Sequence, residues 1–527
     1  MSARALSPGR ALNPGRAPYP ERGLFPDRPW LTDLLAVLAG IMLPLALAPF
    51  DFWWSAFVGI LLLISVLQAT SLRRSLWRWY LFGLGQYAIG ASWLYVSVNT
   101  HGGASPALAG VLVFLFVAGI SLVVLAQGYL YQRFFSGSLF GLIGAFPALW
   151  FFKEWTTSWL LTGFPWALVG YGHLQTPLAG FAPVVGVFGT GYVMVLISAL
   201  LFLAIQQRRV LHRALYFGLA VAPFLVGLGL GQINFTRPAS EPLSVSLIQG
   251  DIDQRTKWQY EQVQPIIDRY TNLSKSEWGR DLIVWPEAAI TLFADRASVL
   301  LDTLDRRGKV SNTGLLLGMP SRDGERYFNS AIGLGDASGN YSKRHLVPFG
   351  EFLPFDNLLR GVIKFFDLPM SRNQPGPAVQ APITLGGLSL GLSICYEIAF
   401  PNLVREQART ADLLVTISND TWFGYSVGPH QHMQMAQMRA LENGRFLVRA
   451  TNNGITAIVD HSGQITGRLP QFEQGVLRGL VEPRSGVTPY TLFGDWPFLL
   501  GLGLLLAGAM IRRQIGSDTV GARQSGL

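Results

Sequence analysis

Three residues in the second half of the chain combine a nucleophile with groups that can activate it. Cys395, the only cysteine among 527 residues, stands in the sequence SICYE, Glu287 stands in WPEAA, and Lys343 stands in YSKRHLVPFGE. A carboxylate can accept the thiol proton, and an ammonium group favours both the thiolate and the oxyanion that develops when it attacks a carbonyl. These residue types are therefore suited to acyl transfer through a thioester.

Cys395 also has a structural interpretation, because most free cysteines are small buried core residues. However, a single cysteine forms no disulfide within the chain, and an unpaired thiol is a liability in an oxidising compartment unless it is used. The histidines do not indicate a competing chemistry. Of the seven, only His430 and His432 form a close pair, and without a third ligand nearby we interpret them as a helix start rather than a metal site. We predict no cofactor.

Between about residues 240 and 490, short apolar strands alternate with helical stretches. The predicted strands are 243–249, 281–285, 314–319, 327–335 with a partner running to 347 after a turn at 336–340, 388–395, 412–418, 446–450 and, closing the series, 456–459. The predicted helices span 259–276, 294–308 and 429–443. This alternation indicates a layered α/β domain. Because Glu287 follows one strand and Cys395 ends another, the sheet would hold both residues.

Four short motifs occur in one order along this domain: WPE at 285–287, the run from Lys343 to PFGE at 348–351, CYE at 395–397, and SNDTWFG at 418–424. Together they resemble the nitrilase superfamily, whose members use a Glu, a Lys and a Cys on an αββα sandwich. With seven apolar segments before the domain and one after it, the chain is similar to the apolipoprotein N-acyltransferase family. The resemblance covers nearly all of the chain except the first 29 residues and the last dozen. It implies an α/β, nitrilase-like αββα domain inserted between transmembrane helices.

The resemblance also implies a role for each matched residue. Glu287 corresponds to the general base, Lys343 to the oxyanion-stabilising lysine and Cys395 to the nucleophile. The supporting residues are Glu351, a second carboxylate close to the triad, and Tyr396 and Glu397, beside the nucleophile. Trp258 corresponds to a tryptophan on a mobile arm over the site, whereas Asn419, Trp422 and Phe423 would shape the pocket.

Three of these residues have simpler alternatives. Glu351 could only pair with Lys343, Glu397 could be a carboxylate at a helix start, and Trp258 could be an interface anchor.

The implied reaction is ping-pong acyl transfer without a cofactor. Cys395 takes the sn-1 acyl chain of a phospholipid, typically phosphatidylethanolamine, and passes it to the α-amine of an apolipoprotein whose N-terminal cysteine carries diacylglycerol. Both substrates hold acyl chains in the lipid bilayer, so the nucleophile must lie near the membrane surface. An apolar pocket would protect the thioester from water. Trp155, Trp159, Phe164 and Trp166 could help to form that pocket, or they could be ordinary interfacial aromatic residues.

The composition independently indicates a membrane protein. Only 14% of the residues are charged, against roughly 25% in soluble proteins. Spans of about 20 apolar residues are predicted near 31–49, 53–70, 80–98, 106–130, 138–152, 178–205, 214–232 and 493–511. The chain thus divides into a tail at 1–30, transmembrane helices at 31–235, the catalytic domain at 240–487, a last transmembrane helix at 493–511 and a tail at 512–527.

Basic residues predict the orientation of these spans. Lysines and arginines concentrate in both tails and in the predicted loops 71–79, 131–137 and 206–213, while the intervening loops near 50, 99–105 and 153–177 contain only Lys153. The positive-inside rule then places both termini in the cytoplasm and the catalytic domain in the periplasm of a bacterial inner membrane. The net charge of +9 comes from residues that flank spans, so it does not indicate nucleic-acid binding.

Other function classes remain as alternatives at this point. A membrane-bound amidase of the nitrilase type would share the triad, but a small soluble substrate gives no reason for seven helices ahead of the domain. A catalytically inactive scaffold conflicts with the intact Glu287, Lys343 and Cys395. An ion-coupled transporter conflicts with the scarcity of charged residues within the spans.

Overall fold

The computed structural model describes residues 28–68, 70–354 and 372–524. Most of the predicted N-terminal tail and the last three residues of the C-terminal tail lie outside this range. The α-helices of the first half are α1 Pro29–Met42, α2 Trp53–Val66, α3 Leu72–Gly90, the single turn α4 Trp93–Val96, α5 Pro106–Phe134, α6 Phe146–Thr157, α7 Ala182–Gln206 and α8 Val210–Leu230. The second half adds α9 Val263–Leu273, α10 Ser298–Ser311, α11 Pro401–Ala408, α12 Gly428–Asn443, α13 Pro489–Phe493 and α14 Trp496–Gln524.

Several of these helices are suited to a membrane. Within the described ranges, five helical segments are long and apolar enough to cross one: Pro29–Ala46, Pro106–Phe134, Pro177–Gln206, Val210–Leu230 and Trp496–Arg513. The predicted spans 53–70 and 138–152 overlap α2 and α6, which are shorter, and the predicted span 80–98 overlaps only the second half of α3, a helix with three arginines. The helices agree with a polytopic membrane protein, and the number of eight spans stays a prediction.

Two charged segments predicted as loops are helical. The expected loop 71–79 is wrong because α3 begins at Leu72, and Arg78 is buried in it, where its Nη2 donates to Thr32 Oγ1 at 2.6 Å. Lys153 lies in α6 and pairs with the equally buried Glu154 at 3.7 Å. Partners on the same or a neighbouring helix allow charged side chains to enter a helical core. The sequence pattern alone does not reveal these pairs.

The second half forms one long β-sheet, whose successive strand pairs are called the ladder below. Its strands are β1 Arg237–Pro238, β2 Leu243–Gln249, β3 Leu282–Val284, β4 Gly314–Asp323, β5 Arg326–Gly335, β6 Ala337–Ser342, β7 Ile383–Leu385, β8 Leu388–Ile394, β9 Leu413–Ser418, β10 Leu447–Thr451, β11 Ala457–Val459, β12 Ile465–Arg468, β13 Gly475–Val481 and β14 Arg484–Ser485. In the described residues the order across the main sheet is β12-β11-β10-β9-β8-β7-β6-β5-β4-β3-β2-β13, and β1 pairs separately with β14.

The ladder folds back so that its two halves face each other. Leu282 and Val284 of β3 share one buried core with Leu413 and Val415 of β9. Ile283, the residue between the two β3 side chains, instead packs outward among residues of α9 and α10. Strand side chains alternate between the two faces, so each strand contributes to both cores. On the other outer face, α11 and α12 pack against β9, β10 and β11. The predicted αββα sandwich is therefore confirmed.

Most of the predicted strands and helices occur within a few residues of their expected bounds, but the end of the series was wrong. Two further strands, β12 and β13, follow 456–459, and β13 pairs antiparallel with β2 at the edge of the ladder. The sequence of β13, GVLRGLV, contains two glycines and an exposed arginine, so it lacks the apolar signal of an inner strand. The predicted turn at 336–340 was also too long, because β6 begins at Ala337.

Candidate active site

Cys395 stands at a sharp corner between β8 and a short 3₁₀ helix, Cys395–Ala399. Its φ is +53°, a left-handed conformation that costs a non-glycine residue on the order of 1–3 kcal/mol. Such strain persists only where the surroundings fix the backbone. As a whole residue Cys395 is half-buried.

Glu397 is one of the groups that fix this corner. Its Oε2 accepts from Ile394 N at 2.8 Å, which confirms the predicted helix-start carboxylate. Its Oε1 accepts from Arg344 N at 2.7 Å, His345 N at 3.1 Å and Tyr341 Oη at 2.9 Å. One fully buried carboxylate thus connects the turn at Cys395 to the segment that follows Lys343.

Glu287, Lys343 and Glu351 meet in a buried cluster. Lys343 Nζ lies 2.7 Å from Glu351 Oε2 and 3.8 Å from Glu287 Oε1. Asn329 bridges the two carboxylates, donating from Nδ2 to Glu287 Oε1 at 2.7 Å and to Glu351 Oε1 at 3.0 Å. The Asn329 carbonyl accepts from Lys343 N at 2.8 Å. The structure therefore brings these three predicted residues together, and Glu351 does pair with Lys343.

The electrostatics of the cluster distinguish the lysine from the cysteine. Burial lowers the pKa of Lys343, but Glu351, Glu287 and Cys395 outweigh this effect and hold the pKa above its usual value. Burial and the Glu287 carboxylate raise the pKa of Cys395, and Lys343 only partly opposes them. At neutral pH the resting site therefore holds an ammonium group and a protonated thiol. Such a thiol needs a base before it can act as a nucleophile.

Residues of the SNDTWFG motif do more than shape the pocket. Asn419 N donates to Glu287 Oε2 at 2.8 Å, so it orients the carboxylate directly. Trp422 accepts a hydrogen bond from Ser97 through its carbonyl oxygen at 2.8 Å, and the ring of Phe423 lies 4.8 Å from that of Trp93. Trp422 and Phe423 therefore dock this loop on the helical half of the chain.

Tyr396 joins the nucleophile to the same helical half. Its hydroxyl donates to Gly163 O at 3.0 Å, and its ring is stacked with Trp166 at a centroid distance of 6.5 Å. Trp166 is completely buried, which favours the pocket over the interfacial alternative for this residue, whereas Trp159 is 51% exposed. The loop between α6 and α7 thus packs against Tyr396, the residue that follows Cys395.

The predicted arm over the site contains one exposed and one hidden residue. Trp258 is 41% exposed, while its neighbour Lys257 is fully buried and donates from Nζ to Glu287 O at 3.3 Å. Burial lowers the pKa of Lys257 to about 8, although Glu287 acts in the opposite direction. Lys257 was not predicted as a site residue. The only indication in the sequence was that Lys257 is adjacent to Trp258. The pattern of apolar and polar residues does not predict that its side chain contacts the segment after β3.

His432 was also missed as a site residue. The interpretation of His430 and His432 as a helix start was correct, since α12 begins at Gly428. However, His432 Nε2 lies 3.1 Å from the carbonyl oxygen of Cys395. In the described residues no group of three or more His, Cys, Asp or Glu side chains is arranged to hold a metal ion.

Comparisons with known proteins cover both halves of the chain. Residues 39–200 match the family model for the apolipoprotein N-acyltransferase N-terminal domain, and residues 244–486 match the model for carbon-nitrogen hydrolase. Among solved structures, a CN-hydrolase superfamily protein from Xanthomonas campestris covers 50% of this chain and 97% of its own at 18% identity, with a TM-score of 0.35.

Curated relatives match over almost their full length. An apolipoprotein N-acyltransferase from Pseudomonas aeruginosa is 44% identical over 496 residues, which cover 92% of this chain and 97% of the relative. The enzyme of that name from Azotobacter vinelandii is 43% identical, with 92% and 96% covered, and that from Photobacterium profundum is 40% identical, again with 92% and 96% covered. The chain belongs to the apolipoprotein N-acyltransferase family and is a membrane-embedded acyltransferase.

Proposed function

We propose that this enzyme transfers an acyl chain from a phospholipid to a diacylglyceryl-apolipoprotein through a thioester on Cys395. The main support is the buried Glu287–Lys343–Glu351 cluster beside a cysteine held in a strained turn. The chain-long similarity to apolipoprotein N-acyltransferases supports the two substrate classes. Phosphatidylethanolamine, donating its sn-1 chain, is the proposed donor.

In the first half-reaction, Glu287 takes the proton of the Cys395 thiol and sulfur attacks the ester carbonyl carbon. The raised pKa of the thiol, caused by burial and by Glu287, explains why a base is required. Lys343 stays protonated because of Glu351 and Glu287, so it can stabilise the oxyanion. The C–O ester bond then breaks, Glu287 returns the proton to the alkoxide, and the lysophospholipid leaves.

In the second half-reaction, the α-amine of the apolipoprotein attacks the thioester carbonyl. An α-amine has a pKa of about 7.7–8.0, so part of it is already neutral at pH 7. Glu287 accepts a proton from the attacking nitrogen as the C–N bond forms and the C–S bond breaks. The proton passes to the departing thiolate, which restores the Cys395 thiol and releases the amide product.

We also propose that the catalytic domain at 240–487 faces the periplasm, with the helices of 31–235 and 493–511 in the inner membrane and both termini in the cytoplasm. The positive-inside rule supports this orientation. The two ends of the domain adjoin α8 and α14, both suited to spanning a membrane, which keeps Cys395 close to the bilayer that supplies the donor.

The test is intact-protein mass spectrometry after incubation with phosphatidylethanolamine and no acceptor. We expect a mass gain of one acyl chain that maps to Cys395 and disappears with hydroxylamine. Addition of a diacylglyceryl peptide with a free N-terminus should then discharge the adduct into an N-acylated peptide.

Cys395→Ser is the control for this experiment, because it removes the thiol and changes little else. It should remain at its unmodified mass under conditions in which the wild type is acylated. An adduct elsewhere in the chain would refute the assignment of Cys395. No adduct, together with acid released from small amides, would replace the acyltransferase mechanism with amide hydrolysis.

A further inference from the structure

A buried polar network contacts the nucleophile residue. His432 on α12, Asp420 after β9 and Arg449 on β10 are each at most 2% exposed. Arg449 Nη2 donates to Asp420 Oδ2 at 2.6 Å and lies 3.0 Å from His432 Nδ1. Asp420 Oδ1 accepts from Ser418 Oγ at 2.7 Å and lies 3.0 Å from His432 Nδ1. Charged groups at this depth are costly unless they are paired.

The network reaches Cys395 at its side chain, through a hydrogen bond with Ser418, and at its main chain, through His432. His432 Nε2 lies 3.1 Å from the carbonyl oxygen of Cys395. A carbonyl oxygen only accepts hydrogen bonds, so Nε2 carries the hydrogen. Nδ1 faces both Arg449, which only donates, and Asp420 Oδ1, which only accepts. In the neutral ring Nδ1 accepts from Arg449, which also pairs with Asp420. Burial and Arg449 lower the pKa of His432 despite the opposing Asp420, which agrees with a neutral ring.

We propose that His432 is a positioning residue that holds the Cys395 carbonyl and thereby sets the direction of the nucleophile. This inference rests on the proposed role of Cys395. At a φ of +53°, rotation about the N–Cα bond of Cys395 would relieve strain, and it would move the carbonyl group and Cβ together, so the thiol would turn from its present direction. The hydrogen bond from Nε2 opposes that rotation. His432 does not act as the base, because Nε2 donates to the main chain and Nδ1 faces Asp420 and Arg449, so neither ring nitrogen is free to accept the thiol proton.

His432 is itself held from two directions. Arg449 and Asp420 fix the Nδ1 side of the ring, while Trp166 is stacked on its face at a centroid distance of 5.8 Å and an interplanar angle of 30°. Trp166 Nε1 donates to Gln431 Oε1 at 2.6 Å, so the loop from the helical half is tied to the residue before His432. The geometry of the nucleophile therefore depends on both halves of the chain.

Two substitutions separate positioning from simple packing. In His432→Gln the amide nitrogen lies as many bonds from Cβ as Nε2 does, so it can still donate to Cys395 O. In His432→Asn the amide nitrogen matches Nδ1 instead and cannot reach. Both variants are polar and smaller than histidine, so a purely structural role would affect both. The matched control is His430→Gln, two residues earlier on the same helix and half-buried.

The measurement is the single-turnover rate of Cys395 acylation by phosphatidylethanolamine in detergent micelles, taken on the monodisperse folded fraction. A displacement of about 1 Å costs on the order of 100-fold in rate. We expect His432→Asn to lose about that much, and His432→Gln to lose less than about 10-fold. The donor concentration for half-maximal rate should stay within about twofold in both, because His432 does not touch the lipid. His430→Gln should match the wild type.

Equal rates in the glutamine and asparagine variants would overturn the proposal, as would a loss confined to donor affinity. If the asparagine variant does not fold, the glutamine variant decides: a loss greater than about 100-fold in its folded fraction refutes the positioning role. Failure of the proposed function gives a different result, because the wild type itself would then form no thioester on Cys395.

Discussion

Replacing Lys257 with methionine should stabilise the protein and slow the reaction. Lys257 is fully buried, and the hydrogen bond from its Nζ to Glu287 O is 3.3 Å long. Burial is the largest influence on its pKa, which falls from 10.5 to about 8. Methionine has a side chain of similar length, so it fills nearly the same space without a charge.

The magnitude follows from the pKa. A fall from 10.5 to about 8 corresponds to about 3 kcal/mol against the charged lysine in the folded protein at pH 7. Methionine removes this cost but also loses one hydrogen bond from a charged donor, worth about 1.5–3 kcal/mol. The net gain is about 1 kcal/mol. For a domain of this size that is a rise in Tm of about 2–4 °C.

The pH dependence has a definite sign. Between pH 8 and 10.5 the unfolded lysine keeps its proton and the folded lysine has lost it, so the stability of the wild type rises with pH in this window. Methionine does not titrate. The advantage of Lys257→Met should therefore be largest at and below about pH 7, and it should shrink or reverse by pH 9.5.

The assay is thermal unfolding of the detergent-solubilised protein at pH 7, 8 and 9.5, with the exposed Lys275→Met as the control. The control should change Tm by less than about 1 °C at each pH, since surface substitutions have small effects. Acylation of Cys395 should slow by about 10-fold in Lys257→Met, because the carbonyl of the base loses its donor. A lower Tm at pH 7, or a difference in Tm that does not change with pH, would refute this reasoning.

Three further outcomes are expected. Glu287→Gln keeps a side chain that Asn419 N can bond but cannot accept the thiol proton, so single-turnover acylation should fall by about 10²–10⁴-fold; a rate near that of the wild type would assign the base elsewhere. Glu397 accepts four hydrogen bonds, so Glu397→Gln should lower both Tm and the rate of acylation. Loss of activity at unchanged Tm would contradict a role of Glu397 in holding the backbone. A thiol reagent that cannot cross the inner membrane should label Cys395 in intact spheroplasts; labelling only after lysis would reverse the proposed topology.

The parts of the fold that were predictable are those set by local patterns. The run LIV in β3 is apolar throughout, and LLVTIS in β9 is mostly apolar, because both faces of these strands are covered. Gly444 follows α12 in the left-handed conformation typical of a helix end. Strand positions predicted that the sheet holds Glu287 and Cys395, and the resemblance to the nitrilase superfamily placed them in one site.

The parts that were not predictable depend on contacts between distant residues. His432 meets Cys395 across 37 positions, and Lys257 meets Glu287 across 30. A histidine on a helix and a lysine in a turn are compatible with many environments, so their types do not indicate what they touch. For Trp166 the sequence left a pocket and an interfacial position open, and its hydrogen bond to Gln431, which holds it in the core, spans 265 positions. The roles of such residues are known only from the contacts that they make in the folded chain.

These long-range contacts suggest why the catalytic domain is joined to so many helices. Tyr396 and Phe423 share one apolar cluster with Trp93 and Trp166 of the first half. Without those helices, this face of the domain would expose aromatic side chains to water, and the hydroxyl of Tyr396 would lose Gly163 as its acceptor. Because Tyr396 is adjacent to the nucleophile, the helical half must be in place before the corner at Cys395 is fully fixed. The helices therefore do more than hold the domain at the membrane. They also supply the residues that pack against Tyr396, next to the nucleophile.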